Sequence, residues 1–211
     1  MGKSSSRRKK KPSKHPKNHH KSEISQHDKY YQALFLTAQH GEVDNLKILI
    51  EAGIDVNLAN QNGITALHGT TMFEEAACGQ AACAQMLIDA GAKIDALDTL
   101  NTTPLIMAVS RNRIAVFDVL IRNHANINAK SALNVTALHY ASKFGFVELI
   151  QRLLDAGADW SILDVQDKMP EEVALNDEIR LMIQQHRTNA EKEDLGASIG
   201  DFPSDPRNYS P

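Results

Sequence analysis

Few side chains in this sequence could do chemistry at neutral pH. His68 and His139 each close a Thr-x-x-His motif, from Thr65 and from Thr136, and an imidazole there could serve as a base. Neither has a nucleophile beside it. Cys78 and Cys83 are the two thiols of the chain, and without further Cys or His at ligand spacing they make a poor zinc site. A redox pair is conceivable, but small core thiols are the expectation. His15, His19 and His20 could pick up metal, although their Lys- and Ser-rich surroundings read as solvated low-complexity sequence. The chain has no Gly-rich phosphate loop, no His-Glu-x-x-His and no Gly-x-Ser-x-Gly. The expectation is a protein that is not an enzyme, with no catalytic residues, metal or cofactor.

The other candidate chemistry is electrostatic. Arg7, Arg8, Lys9, Lys10 and Lys11 lie in a stretch, 1–21, with nine Lys/Arg and no acid, while the rest of the chain carries 14 bases against 26 acids. A cationic arm thus precedes a body of net charge −12, which the overall −3 conceals. The run before Pro12 fits a nuclear localisation signal. It could equally neutralise nucleic-acid phosphates without sequence preference, since no aromatic is interleaved before Tyr30. Gly2 followed by Ser at the sixth position fits N-myristoylation, and an acyl chain beside a polybasic run would anchor to an anionic membrane. A solubilising arm lying loosely on the acidic body is the plain alternative. Location follows as cytoplasmic, nuclear or both, with membrane association if Gly2 is acylated. Two cysteines cannot form a disulfide framework, which favours a reducing compartment. No run of about 20 apolar residues offers a transmembrane helix, and no apolar segment follows the basic residues as a secretory signal would require.

Composition then marks where folding can occur. Residues 1–28 hold one apolar side chain, Ile24, beyond Met1, and cannot offset their ordering entropy. Residues 188–211 mix acids with Gly, Ser and Pro203, Pro206 and Pro211, and both ends are expected to be disordered. The segment between them repeats itself. Leu49-Ile50-Glu51-Ala52-Gly53 recurs as Leu87-Ile88-Asp89-Ala90-Gly91 and as Leu153-Leu154-Asp155-Ala156-Gly157, with a weaker copy at Leu120-Ile121-Arg122-Asn123-His124. Thr65, Thr103 and Thr136 lead the copies, 38 and then 33 residues apart. A period in this range signals a solenoid of stacked units.

Each unit reads as two short antiparallel helices. Thr136 is an N-cap, and Thr103-Pro104 places proline at the first helical position, where no amide hydrogen is needed. The first helix stops near Gly145, and Val147, Leu149, Ile150, Leu153 and Leu154 give the second an apolar face. Gly157 supplies a left-handed cap, while Ala38, Ala108, Ala141 and Ala174 let paired helices approach closely.

These motifs resemble the ankyrin repeat, whose pattern is Thr-Pro-Leu-His, an Ala in the first helix, a turn Gly, a Leu pair and Gly-Ala-Asp. The resemblance implies an all-α solenoid over 29–187, with units at about 30–62, 63–100, 101–133, 134–166 and a shortened 167–187. It also implies that His68 and His139 bond their Thr and nearby backbone to hold the turn. By position, a partner would be gripped by the hairpin tips Gln61, Asn62 and Ile64, then Thr99, Leu100 and Thr102. Leu133 and Val135 follow with Ala132, then Val165, Gln166 and Lys168, and first-helix positions Met107 and Tyr140 complete a concave face. Leu100, Leu133, Val135 and Val165 are apolar where an exposed tip has no core reason to be, unless adjacent tips cover one another. Asn57 and Asn128 hold the position that an oxygen- and iron-dependent hydroxylase modifies in some such repeats. The function implied is a monomeric scaffold or adaptor binding a partner protein. The alternative is a tether to nucleic acid or an anionic membrane through the arm.

Two departures stand out. Gly69 to Cys78 carries five extra residues, and Ala81 and Ala84 thin the following helix, so Met72 or Phe73 either folds back to fill space or belongs to a tolerated loop. His124 stands where the other copies have Gly, so it must adopt the left-handed conformation or change the cap. Trp160, the sole tryptophan, is expected to pack rather than to bind.

Overall fold

The computed structural model describes residues 25–73 and 77–199, the side chains at 77–78, 191 and 193–199 excepted. Nine helices occur among the described residues: α1 (Gln26–His40), α2 (Val43–Glu51), α3 (Ala66–Gly69), α4 (Ala77–Asp89), α5 (Pro104–Ser110), α6 (Ile114–Arg122), α7 (Ala137–Phe144), α8 (Val147–Asp155) and α9 (Asp177–Ile199). The only bridge pairing among them is Ala59 with Thr65, so the architecture is an all-α solenoid. No described helix is long and apolar enough to cross a membrane.

Successive helices pair as α1–α2, α3–α4, α5–α6 and α7–α8, and the pairs stack. First helices α1, α3, α5 and α7 touch in order, as do second helices α2, α4 and α6, while α9 lies on α8. The core runs continuously between the two layers through Leu34, Leu46, Leu67, Leu87, Leu105, Phe117, Leu138, Leu149 and Leu153. Each helix pair buries its apolar stripe only against its neighbours, which is why the units are stable together.

The starts and stops follow local chemistry. The Thr103 hydroxyl accepts the Ile106 N–H at 3.2 Å, with Pro104 at the first helical position. Thr65 and Thr136 form capping boxes in which the fourth residue is histidine. Gly145 ends α7 in the left-handed region (φ 76°), and Gly157 does the same after α8 (φ 84°). His124 adopts that conformation too, at φ 64°, and its N–H still reaches the Ile121 carbonyl at 3.0 Å. The cap is kept and the backbone bears the cost.

Two boundaries differ from the sequence reading. The first helix starts at Gln26, inside the segment taken as tail, because the Ser25 hydroxyl accepts the Asp28 N–H at 3.1 Å and caps it. The last helix continues from 187 to Ile199, a stretch whose Asn, Ala, Glu, Lys and Leu residues do not break it. Its anchor is Ile179 and Ile183, both fully buried. In the irregular repeat neither Met72 nor Phe73 enters the core: Phe73 is 47% exposed and lies against the His40 ring, 5.4 Å between centroids. Close backbone approach replaces side-chain volume instead. A Cβ on Gly79 would stand 2.5 Å from the Gly41 carbonyl oxygen, and the buried Gln80 amide donates to the Gln39 carbonyl at 2.8 Å. The thin helix α4 thus sits directly on the turn after α1, with its own Cys83 and Ala84 fully buried.

Candidate protein-binding face

One tip structure occurs four times. Asn60, Asp98, Ser131 and Asp164 each turn a side-chain oxygen back to accept the N–H groups two and four residues on. The backbone closes the same loop, with Asn60 N–H donating to Ile64, Asp98 to Thr102, Ser131 to Val135 and Asp164 to Lys168. The third residue after each oxygen is left-handed: Gly63, Asn101, Asn134 and Asp167, at φ 53–74°. Neighbouring tips are then joined. Thr99 N–H donates to the Asn62 carbonyl at 2.9 Å, Ala132 to Leu100 at 2.8 Å and Val165 to Leu133 at 3.1 Å.

That joining decides what the tip side chains are free to do. Backbone bonds hold the hairpins side by side without enlisting the side chains, so Leu100, Leu133 and Val165 stay 64%, 59% and 55% exposed. Gln61, Asn62, Thr99, Gln166 and Lys168 are exposed as well, and Ile64, Thr102 and Val135 are half-buried. Beside the row lies a groove of about 400 Å³. It brings Leu133, Val135, Tyr140, Val165, Gln166 and Lys168 together with His139, Lys143, Asp164, Glu172 and Val173. Met107 does not join them: at 5% exposure it belongs to the packing between α5 and its neighbours. Lys143 was missed by position matching, although it follows Tyr140 by three residues and so shares its helix face.

The two motif histidines are committed to holding tips in place. His68 Nδ1 accepts the Thr65 N–H at 3.2 Å and lies 2.9 Å from the Thr65 hydroxyl, which leaves the ring proton on Nε2 to donate to the Thr102 carbonyl at 3.2 Å. His139 repeats this with Thr136 and the Lys168 carbonyl, at 3.2, 2.8 and 3.1 Å. Each imidazole therefore ties a first helix to the following hairpin. Burial holds both below the ordinary imidazole pKa, against the pull of those carbonyls and of Asp98 or Asp164. With both nitrogens engaged, neither is placed to abstract a proton from a substrate.

The family model for ankyrin repeats (three copies) matches residues 14–98 and 72–164. The chain belongs to the ankyrin-repeat family. Among its relatives, the mouse B-cell lymphoma 3 protein homolog is 31% identical over 147 residues, covering 67% of this chain and 32% of that protein. The human B-cell lymphoma 3 protein is 33% identical over the same length, with 67% and 31% covered. A bacterial relative, the putative ankyrin repeat protein YahD of Escherichia coli strain K12, is 26% identical over 119 residues, with 56% and 57% covered. The chain thus spans about a third of the length of the lymphoma proteins it matches.

Ankyrin repeats mediate protein–protein interaction, and the remaining candidates fall into place around that. Asn57 bridges hairpins from below, its amide donating to the Gly91 carbonyl at 3.0 Å and accepting the Lys93 N–H at 2.8 Å. Asn128 accepts the Asp159 N–H at 2.8 Å in the same manner. Trp160 packs against the core and carries the Arg187 guanidinium 4.8 Å from its ring centroid, which pins α9 to the array. Burial pushes the Cys83 thiol up to about 11, away from thiolate chemistry. Gly2, the tail histidines and Arg7 to Lys11 lie outside the described residues, as does the side chain of Cys78.

Proposed function

We propose that this ankyrin array is a non-enzymatic adaptor that holds a partner protein against its hairpin tips and the adjoining concave groove. The observation that carries the reading is the exposed row Leu100, Leu133 and Val165 on tips whose backbones are already bonded to each other. Aliphatic side chains in that setting add nothing to the fold, and a contiguous apolar row rimmed by polar groups is what interaction sites present.

A second reading rests on the nine cations of residues 1–21, which would tether the chain to nucleic acid or to an anionic membrane, or direct it to the nucleus. The two are separated by affinity capture from lysate at low and high salt. The baits are the full chain, a Leu133→Asp/Val135→Asp variant, and a variant with Arg7, Arg8, Lys9, Lys10 and Lys11 all changed to Gln. The adaptor reading expects a salt-resistant protein that is lost in the double variant and kept in the glutamine variant. Enrichment that fades with salt and with the glutamine variant alone would transfer the function to the arm.

A further inference from the structure

We infer that the aromatic strip of Tyr140, Phe144 and Phe146 binds the proline segment 202–207 of a second copy of this chain, in the polyproline conformation. The inference goes beyond the adaptor reading, because α7 leaves the tip at 131–135 and carries Phe144 at its far end. The three rings form a series, with centroids 6.2 Å apart from Tyr140 to Phe144 and 5.7 Å apart from Phe144 to Phe146. Phe144 is 47% exposed, and Val147 and Leu175 are exposed beside the same turn. The fold does not ask for rings there. Phe144 and Phe146 stand eight and ten residues after Thr136, and the same places after Thr103 hold Arg111 and Arg113. The third repeat folds with two guanidinium groups where this one shows two rings, so the exposed ring surface is free for a ligand.

Aromatic-lined surfaces are where P-x-x-P segments dock in the polyproline conformation. This chain carries one such segment. Of its seven prolines only Pro203 and Pro206 are three apart, within Phe202-Pro203-Ser204-Asp205-Pro206-Arg207, and they lie outside the described residues. Charge agrees with this choice. Asp201 and Asp205 accompany the two prolines, while Lys143, exposed between Tyr140 and Phe144 in the sequence, has no ion-pair partner among the described residues. Pro12 and Pro16 of the arm are four apart, and their Lys and His neighbours would bring further cations to Lys143.

Reach decides which copy supplies the segment. Leu175 N–H donates to the Ser142 carbonyl at 2.9 Å, and a Cβ on Gly145 would stand 2.5 Å from the Leu175 side chain, so α9 starts beside the strip. It then runs toward the hairpin at Trp160, where Arg187 lies over the indole, and continues to Ile199. At about 1.5 Å per residue its end stands about 33 Å from its start. Pro203 and Pro206, four and seven residues further on, can return only about 14 and 25 Å at full extension. The strip of the same copy is out of reach, and the segment meets that of a neighbour. Two copies that each give a segment and take one close the pair.

The test uses the full chain and a capped, fluorescein-labelled peptide of residues 200–211 read by anisotropy, with sedimentation equilibrium of the unlabelled chain. The peptide should bind, and Phe144→Arg, which copies the residue of the preceding repeat, should weaken it about tenfold. Lys143→Glu should weaken it about fivefold, and Pro203→Ala/Pro206→Ala in the peptide about tenfold. The mass should rise from one copy toward two between about 10 μM and 1 mM, and the same two proline substitutions in the full chain should hold it at one. Equal binding to the Phe144→Arg chain, equal binding of the alanine peptide, or no binding up to about 1 mM would overturn the inference. A chain that stays a single copy at about 1 mM would overturn it too, even where the peptide binds.

Discussion

Because His68 and His139 are buried neutral, the stability of this array should fall as the solution is made mildly acidic, and the fall should be traceable to these two rings. They are 0% and 2% exposed, and burial depresses both pKa values. Above pH 6.5 folded and unfolded chains alike carry neutral imidazoles, and the full contribution is present. As pH falls through about 6.5 the unfolded chain binds protons that the folded chain refuses, so stability declines until the depressed folded pKa is reached. A ring that stayed neutral throughout would lose about 1.4 kcal/mol between pH 7.5 and 5.5, so the two together set a ceiling of about 3 kcal/mol on the fall. The natural control lies in the third repeat, where Ile106 fills the same place and is buried without any such bonds. The assay is urea unfolding followed by far-UV circular dichroism at pH 7.5, 6.5 and 5.5, on the parent, His68→Ile and His139→Ile. Each variant should lose about 1–3 kcal/mol at pH 7.5, from orphaned Thr and carbonyl groups, and about half of the pH-dependent fall. An unchanged slope in both variants would mean that the rings titrate alike folded and unfolded, and the bonding scheme would be wrong.

Other perturbations probe the backbone and the core. Gly63→Ala should cost more than Gly53→Ala by about 1–3 kcal/mol in the same unfolding assay: both glycines are left-handed, but a Cβ at 63 would meet the Leu97 carbonyl oxygen at 2.8 Å while 53 faces open space. His124→Gly should stabilise the chain by up to about 1 kcal/mol, since relief of the left-handed strain outweighs the added unfolded-state freedom of glycine. Leu153→Ala, a truncation at a fully buried site, should cost about 2–5 kcal/mol, and hydrogen exchange should rise across 134–187 before it rises across 30–62.

Most of the fold was legible because the repeat is written in residues with narrow backbone preferences. Thr at the cap, Pro104 at the first turn, and Gly145 and Gly157 at the ends each admit few conformations, and the structure uses them as such. The irregular repeat was not legible in the same way. Sequence reading left Met72 or Phe73 folding back beside a tolerated loop, and neither names what the structure uses to close the gap: Gly41 against Gly79, a contact between two absences of a side chain. The left-handed tip residues carried a signal that went unread: Gly63, Asn101 and Asn134 each stand two residues before the motif Thr, and Gly and Asn are the residues that tolerate that conformation. Met107 misled because a first-helix position that is open beside Tyr140 is closed in the neighbouring repeat.

The tips also explain how such an array can keep its fold while changing its partner. At Asn60, Asp98, Ser131 and Asp164 a side chain is required, since its oxygen holds two backbone N–H groups. Two residues later, at Asn62, Leu100, Leu133 and Gln166, the backbone N–H is already satisfied by that oxygen, and the side chain has no fixed partner inside the fold. Stability therefore resides in the first position, and the adaptor reading assigns recognition to the second, within one five-residue loop. The polar Asn62 and Gln166 at the ends and the two leucines between them place the apolar part of the row at the middle of the array. On the adaptor reading a partner would be centred on Leu100 and Leu133, where substitution should change binding with little change in unfolding free energy.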